Sequence, residues 1–272
     1  MRLRLWQVDA FAERPFSGNP AAVVPLDAWL DDRLLMAIAA ENNLSETAFF
    51  VPEGGGYRLR WFTPAVEVDL CGHATLATAH VILHVLQPGR ADVSFTTRSG
   101  TLTVRRVVQG LAMTLPARPV TACSVPDGLA RALGAAPLAT FAAPNWLLVE
   151  LSGAAAVKAL RPDFAALIPF ARNGVIATAP AEAPIDFVSR MFGPALGVDE
   201  DPVTGAAHCL LAPFWAKRLG RNPLRAHQAS SRGGHLLCYD EGATVTLIGR
   251  CVPYLEGMIY VDPAAFDGDR AA

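Results

Sequence analysis

Four residue types in this chain stand where proton chemistry could be done. Glu46, in Leu44-Ser45-Glu46-Thr47-Ala48-Phe49-Phe50, adjoins an apolar strand pattern, and a carboxylate enclosed there is suited to general acid/base work. Its plainer reading is a solvated carboxylate at a strand start. His73, in Cys71-Gly72-His73, is a second candidate proton carrier or a substrate hydrogen-bond donor, against a structural histidine bonded to backbone. Asp201, in Asp199-Glu200-Asp201-Pro202-Val203-Thr204-Gly205, is either a functional carboxylate or a helix cap. Asn19, among the turn formers of Ser17-Gly18-Asn19-Pro20, reads first as a turn residue.

Gly72 and Gly205 each lead into an apolar helical pattern. The first turn of a helix carries unsatisfied N–H groups and a partial positive charge, so either turn could cradle a carboxylate with backbone alone. The plainer alternative is a glycine that permits tight packing of turn against helix. Neither is a phosphate loop, since the patterns G-x-x-x-x-G-K-[ST] and G-x-G-x-x-G do not occur.

The elements that must position these residues follow from periodicity. Residues 2–11 alternate as a strand, a turn leads to the apolar run Ala21 to Val24, and 27–43 carries apolar residues at helical spacing. Runs at 47–51 and 57–62 flank Gly54-Gly55-Gly56 as a hairpin, a helix is expected over 74–86, and strands over 92–97, 101–107 and 111–115. A polar linker near 116–121 precedes a second half with a helix at 126–134 and strands at 146–151, 174–178 and 185–192. A helix over 206–219 and strands at 235–239, 243–249 and 252–261 complete it. Each half thus brackets one apolar helix with strands, which suggests two similar α/β units.

Composition removes other classes. With 272 residues, 52% apolar and 18% charged, the chain can bury a large core and is not a disordered polypeptide. Lys and Arg number 23 against 25 acids, a net charge of -2 with no like-charged run, so nucleic acid and anionic membranes are not expected partners. The five cysteines are scattered without a C-x-x-C pair and read as reduced thiols of a cytoplasmic protein. The N-terminus reads as a strand and not as a signal peptide, and the stretch 74–86 is too short to span a membrane.

Six segments occur in one order: Val8-Asp9-Ala10-Phe11; Phe16-Ser17-Gly18-Asn19-Pro20-Ala21-Ala22-Val23; Asn43-Leu44-Ser45-Glu46-Thr47-Ala48-Phe49; Arg60-Trp61-Phe62-Thr63-Pro64; Glu67-Val68-Asp69-Leu70-Cys71-Gly72-His73-Ala74-Thr75; and Glu200-Asp201-Pro202-Val203-Thr204-Gly205. Together they closely resemble the PhzF-like phenazine biosynthesis isomerase family. The resemblance implies an α/β (α+β) fold of the diaminopimelate-epimerase type, with two similar domains, each a strand-rich sheet or barrel around a central helix, and an active site in the cleft between them. The domains would run 1–115 and 116–272, the last strand being free to return to the first. By the same likeness Glu46 is the general acid/base and His73 and Asp201 are its catalytic partners. Gly72, Ala74, Thr204, Gly205 and Ala206 supply the helix-start backbone for a substrate carboxylate, Ser45 contacts the substrate, and Asn19 contacts it or holds the cleft loop. The implied activity is a cofactor-independent isomerase, without metal, that moves a proton within a small carboxylate-bearing metabolite, as a homodimer.

Two departures stand out. Ala206 occupies a place where family members often have Ser, so a hydroxyl contact is lost while the backbone N–H remains. The late loop Gln228-Ala229-Ser230-Ser231-Arg232-Gly233 keeps Gln228 and Arg232 but lacks two glycines of the family pattern. Two other functions compete. Cys71 before a helix could serve a thiol-dependent racemase or epimerase, although the second helix start offers no matching thiol and Cys209 lies about one turn inside. A non-catalytic relative that binds small carboxylates is the other. A zinc site from Cys71, His73, His208 and Cys209 fits tetrahedral spacing poorly.

Overall fold

The computed structural model describes residues 1–264, and the chain divides into two compact units, Met1–Met113 with the chain from Gly249 onward, and Thr114–Ile248. The first unit is built on β1 (Arg2–Ala10), β2 (Asn19–Pro25), β3 (Glu46–Glu53), β4 (Gly56–Phe62), the short β5 (Glu67–Val68), β6 (Asp92–Thr97), β7 (Gly100–Val107) and most of β8 (Gly110–Pro116). The second holds β9 (Thr121–Cys123), β10 (Ala139–Ala143), β11 (Trp146–Glu150), β12 (Gly174–Pro180), β13 (Phe187–Gly193), β14 (Val198–Asp201), β15 (Leu224–Gln228), β16 (Gly234–Asp240) and β17 (Thr244–Gly249). The chain's last strand, β18 (Cys251–Tyr260), pairs antiparallel with β1 from Arg2↔Tyr260 to Ala10↔Cys251. β18 is thereby grouped with the first unit.

The two units share one wiring plan. In the first, β2 runs parallel to β3 through helix α1 (Asp32–Asn42), β3 is antiparallel to β4, and β4 runs parallel to β6 through helix α2 (Gly72–His80). In the second, β11 runs parallel to β12 through two short helices, α4 (Ala154–Ala159) and α5 (Phe164–Leu167), which follow α3 (Leu129–Leu133). There β12 is antiparallel to β13, and β13 runs parallel to β15 through helix α6 (Gly205–Leu219). The short strands β5 and β14 pair with β4 and β13 just before α2 and α6. Both Gly-led helix starts thus occupy the same step of a repeated fold.

Helix α2 is buried around most of its circumference, from His73 to Ala79, as a helix threaded through a core must be. Its polar threonines are satisfied inside the helix: the Thr75 hydroxyl donates to the Cys71 carbonyl and Thr78 to Ala74. The chain continues as a π-wound turn over Val81–Leu86, so the expected 74–86 helix begins two residues earlier and changes pitch near its end. Helix α1 starts at Asp32 instead of 27, because Asp31 caps it by accepting from the Arg33 N–H. Leu34, Leu35 and Ile38 of α1 pack with Phe49 and Phe62 in one core, while Leu133, Leu147, Val149, Val175 and Phe192 form the core of the second unit. No helix among the described residues is long and apolar enough to cross a membrane.

Candidate active site

Two neighbouring strand starts and one helix start converge in the first unit. Asn19 opens β2 and Glu46 opens β3, and the parallel register sets Ala21 beside Glu46, so both side chains stand at the same end of the pair. The β1–β2 turn that delivers Asn19 needs Gly18 at φ +67°, where a Cβ would sit 2.2 Å from the Ala10 carbonyl oxygen. Helix α2 packs across β1, β2 and β3, which brings His73 of its first turn onto those strand starts. There the Glu46 Oε2 lies 3.0 Å from His73 Nε2. Both atoms are buried and have no other hydrogen-bond partner, so each depends on the other or on an incoming group.

The far side of the imidazole is also held. The Ser45 hydroxyl donates to Asn19 Oδ1 at 2.9 Å, which turns the amide nitrogen toward His73 Nδ1 at 3.1 Å. With Nδ1 accepting, the neutral ring carries its proton on Nε2, the atom that faces Glu46. Asn19 is wholly buried and His73 is 5% exposed, so this orientation is fixed by packing as well as by bonding. Asn19 and Ser45, expected at the substrate, bond to each other and set the histidine. Gly72 is half-buried and Ala74 wholly buried, so of these two the backbone at Gly72 is the more accessible.

Electrostatics sharpen the pair. Burial disfavours a charged His73, but the neighbouring Cys71 and Glu46 outweigh it and hold the imidazole above the ordinary histidine value. Burial, and then the Glu46 charge, push the Cys71 thiol up while His73 pulls it down, so Glu46 and the thiol are the two sources from which negative charge can reach His73. The Cys71 sulfur is 3.5 Å from His73 Nδ1. Glu46, Cys71 and His73 offer donor atoms within 4.8 Å of one another. A metal there would have to displace Asn19 or Glu46 from a ring nitrogen that each already faces.

The second unit builds its helix start differently. Asp201 ends β14, and Thr204 is the N-cap residue of α6. The cap position therefore belongs to Thr204, whose hydroxyl donates to the Asp201 carboxylate. Gln228, at the end of β15 and wholly buried, clamps the turn: its Oε1 accepts from the Thr204 N–H at 2.9 Å and its Nε2 donates to the Asp201 carbonyl at 2.8 Å. Ser230 adds a bond from its hydroxyl to the Pro202 carbonyl at 2.8 Å. Gly205 is buried and Ala206 half-buried, so the first turn of α6 presents small side chains and backbone. Inside that helix His208 Nδ1 donates to the Thr204 carbonyl at 2.8 Å, and burial pushes its pKa down to about 4.

The structure thus gathers Asn19, Ser45, Glu46, Gly72 and His73 in the first unit and Asp201, Thr204, Gly205 and Ala206 in the second. Gln228 entered the sequence reading only as part of a loop pattern; its clamp on the α6 start is a contact across 24 residues that no local motif displays. Cys209 is a buried thiol pushed up to about 12 by desolvation, which suits packing and not nucleophilic chemistry.

Comparison with known proteins bears on the family and the fold. An uncharacterized isomerase of Pseudomonas aeruginosa is 53% identical over 261 residues, covering 96% of this chain and all of the relative. The crystal structure of a PhzF-family phenazine biosynthesis protein from Enterococcus faecalis superposes with a TM-score of 0.93 at 41% identity, over 96% of this chain and 100% of that one. A hydroxyproline epimerase from Agrobacterium vitis shares the fold at a TM-score of 0.62 and 10% identity, over 96% of this chain and 93% of that one. This is the diaminopimelate-epimerase-like architecture of strands around a central helix in each unit. The model of the phenazine biosynthesis-like proteins, PhzC-PhzF, matches residues 8–257, and the chain belongs to that family.

Proposed function

We propose that this protein is a cofactor-independent isomerase that moves a proton within a small carboxylate-bearing metabolite, with Glu46 as the general acid/base. The observation that carries this reading is the Glu46–His73 contact at 3.0 Å, two buried atoms with no partner but each other. His73 Nε2–H holds Oε2, which leaves Oε1 to meet a substrate carbon made acidic by neighbouring unsaturation. Glu46 takes the proton from one carbon and returns it at another, so the enzyme ends each turnover in its starting protonation state. The α6 start serves the same substrate by offering backbone N–H groups at Gly205 and Ala206 to its carboxylate, where the helix dipole favours negative charge. Asp201 orients that turn through its bond from Thr204, and this reading gives it the part of the reaction's second carboxylate. The names borne by relatives, isomerase and epimerase, support the reaction class. The same reading carries a homodimer and a cytoplasmic location, the latter supported by five free thiols.

The test is solvent deuterium incorporation, followed by proton NMR, over a panel of carboxylate metabolites with wild type, Glu46→Gln and Cys71→Ala. General acid/base catalysis contributes about 10²–10⁴-fold, so Glu46→Gln is expected to slow exchange by about that factor while Cys71→Ala keeps it. The opposite pattern would replace this mechanism with a thiol racemase. Binding without exchange in any of the three proteins would make the chain a non-catalytic carboxylate binder.

A further inference from the structure

Two turns beyond His73, α2 ends at His80 and the π-wound turn carries His84; their rings stack with centroids 4.5 Å apart and planes 23° from parallel. With Arg106 to Val108, Gly110, Leu111, Arg250 and Cys251 they line a recess of about 340 Å³, and no carboxylate is among the described residues lining it. The Nε and Nη2 of Arg106 are buried and have no hydrogen-bond partner. The same edge is used elsewhere in this protein. Arg60 sets Nε and Nη2 on the two oxygens of Glu67 at 2.7 and 2.8 Å, and Arg190 does so on Glu200 at 2.7 and 2.8 Å. A guanidinium edge left buried and unpaired is costly, and the group that matches it is a pair of oxygens sharing negative charge. The local field agrees: burial, then His84 and Arg106, push His80 down to about 4, and burial followed by Arg106 lowers His84.

We propose that this recess binds an oxyanion borne by a small metabolite, a phosphate or carboxylate group gripped bidentately by Arg106 with Arg250 as the second positive charge. Because the Arg106 edge is buried, binding turns the side chain so that the edge enters the recess. The stacked imidazoles give the rest of the ligand a flat wall. This site is separate from Glu46 and does not depend on the reaction assigned to it.

The probes are inorganic phosphate and acetate, each titrated to about 10 mM against a chloride control of equal ionic strength, an excess over a Kd of about 1 mM. The readout is the His80 and His84 ring resonances. A saturable shift is expected with one or both anions, the tighter naming the class, and His80 should then keep its proton to higher pH. Arg106→Met should weaken binding at least tenfold, as should the exposed Arg250→Met if the first variant folds poorly; Glu46→Gln should bind as wild type does. Shifts that follow ionic strength alone, or saturation unchanged in both arginine variants, would overturn the proposal. So would an Arg106→Met protein that loses self-association instead of anion affinity, since the edge would then serve a second copy of the chain.

Discussion

Replacing Glu46 by Gln tests which charge governs His73. The two groups are 3.0 Å apart, and at an effective dielectric of about 20 their gross attraction is about 5 kcal/mol. Against it stands the burial of the ring, which by itself favours the neutral form. Gln keeps an oxygen to accept from Nε2–H, so the neutral histidine retains its partner and the fold should lose no more than about 1 kcal/mol. The charge is gone, however, and burial should then win. In wild type the His73 ring should titrate above 6.5, and in Glu46→Gln below it. Proton and nitrogen NMR of the imidazole across pH reads this directly. Stability gives an independent check through its sign. A histidine whose folded value is raised contributes stability that is full below its unfolded value, near 6.5, and lost as pH rises through the folded one. The stability gap between wild type and Glu46→Gln should therefore be widest in mild acid and close in alkali. If Glu46→Gln still titrates above 6.5 while Cys71→Ala drops, the thiol supplies the charge and the reasoning is wrong.

Four further outcomes are expected. Asp201→Asn can still accept from the Thr204 hydroxyl, so it should fold normally yet turn over at least about tenfold more slowly; unchanged activity and affinity would reduce Asp201 to a structural residue. Gln228→Leu removes three hydrogen bonds at the α6 start, two to backbone, and should cost about 3 kcal/mol in urea denaturation while raising KM. His208, pushed down to about 4 by burial, contributes about 3 kcal/mol at neutral pH that is lost as pH falls from about 6.5 to about 4, the unfolded chain taking the proton first; His208→Gln should flatten that acid slope in denaturation curves. Ala206→Ser restores a hydroxyl beside a half-buried backbone N–H and should tighten carboxylate binding up to about tenfold, whereas affinity unmoved by both Ser and Val at 206 would show that the α6 start does not hold the substrate.

The parts of this molecule that could be read from its sequence are those with a local signature. Alternation located β1, β6, β7 and β8 almost to the residue, and the Gly-led turns located both helix starts. Among the strands that escaped, Ala139–Ala143 and Leu224–Gln228 contain no Val or Ile and little strict alternation, so pairing with neighbours decides their conformation. The short helices at Ala154–Ala159 and Phe164–Leu167 span fewer than two turns and show no amphipathic period. For the site, Glu46 and His73 were legible as types in the right order, but their 3.0 Å contact depends on α2 lying across β2 and β3. That Asn19 grips His73 and is gripped by Ser45 depends on the parallel register of those strands. Long-range register leaves no trace within a sequence window.

The repeated wiring explains how one scaffold can hold two chemistries. Gly72 and Gly205 are the first residues of equivalent crossover helices. The second residue is His73 in one and Ala206 in the other. An imidazole at that place reaches the adjacent strand start and meets a carboxylate, the pair to which the proposed function assigns the proton. A methyl at the same place reaches nothing, so the second start keeps its backbone half-open, and Gln228 and Thr204 hold the turn in shape from behind. Under the proposed function such a clamp matters, because a turn that binds an anion by backbone alone has no side chain to correct its geometry. Under the proposed function Ala206 is not a damaged catalytic position: it is the residue that would leave the second helix dipole to act on charge, while Glu46 and His73 would act on protons.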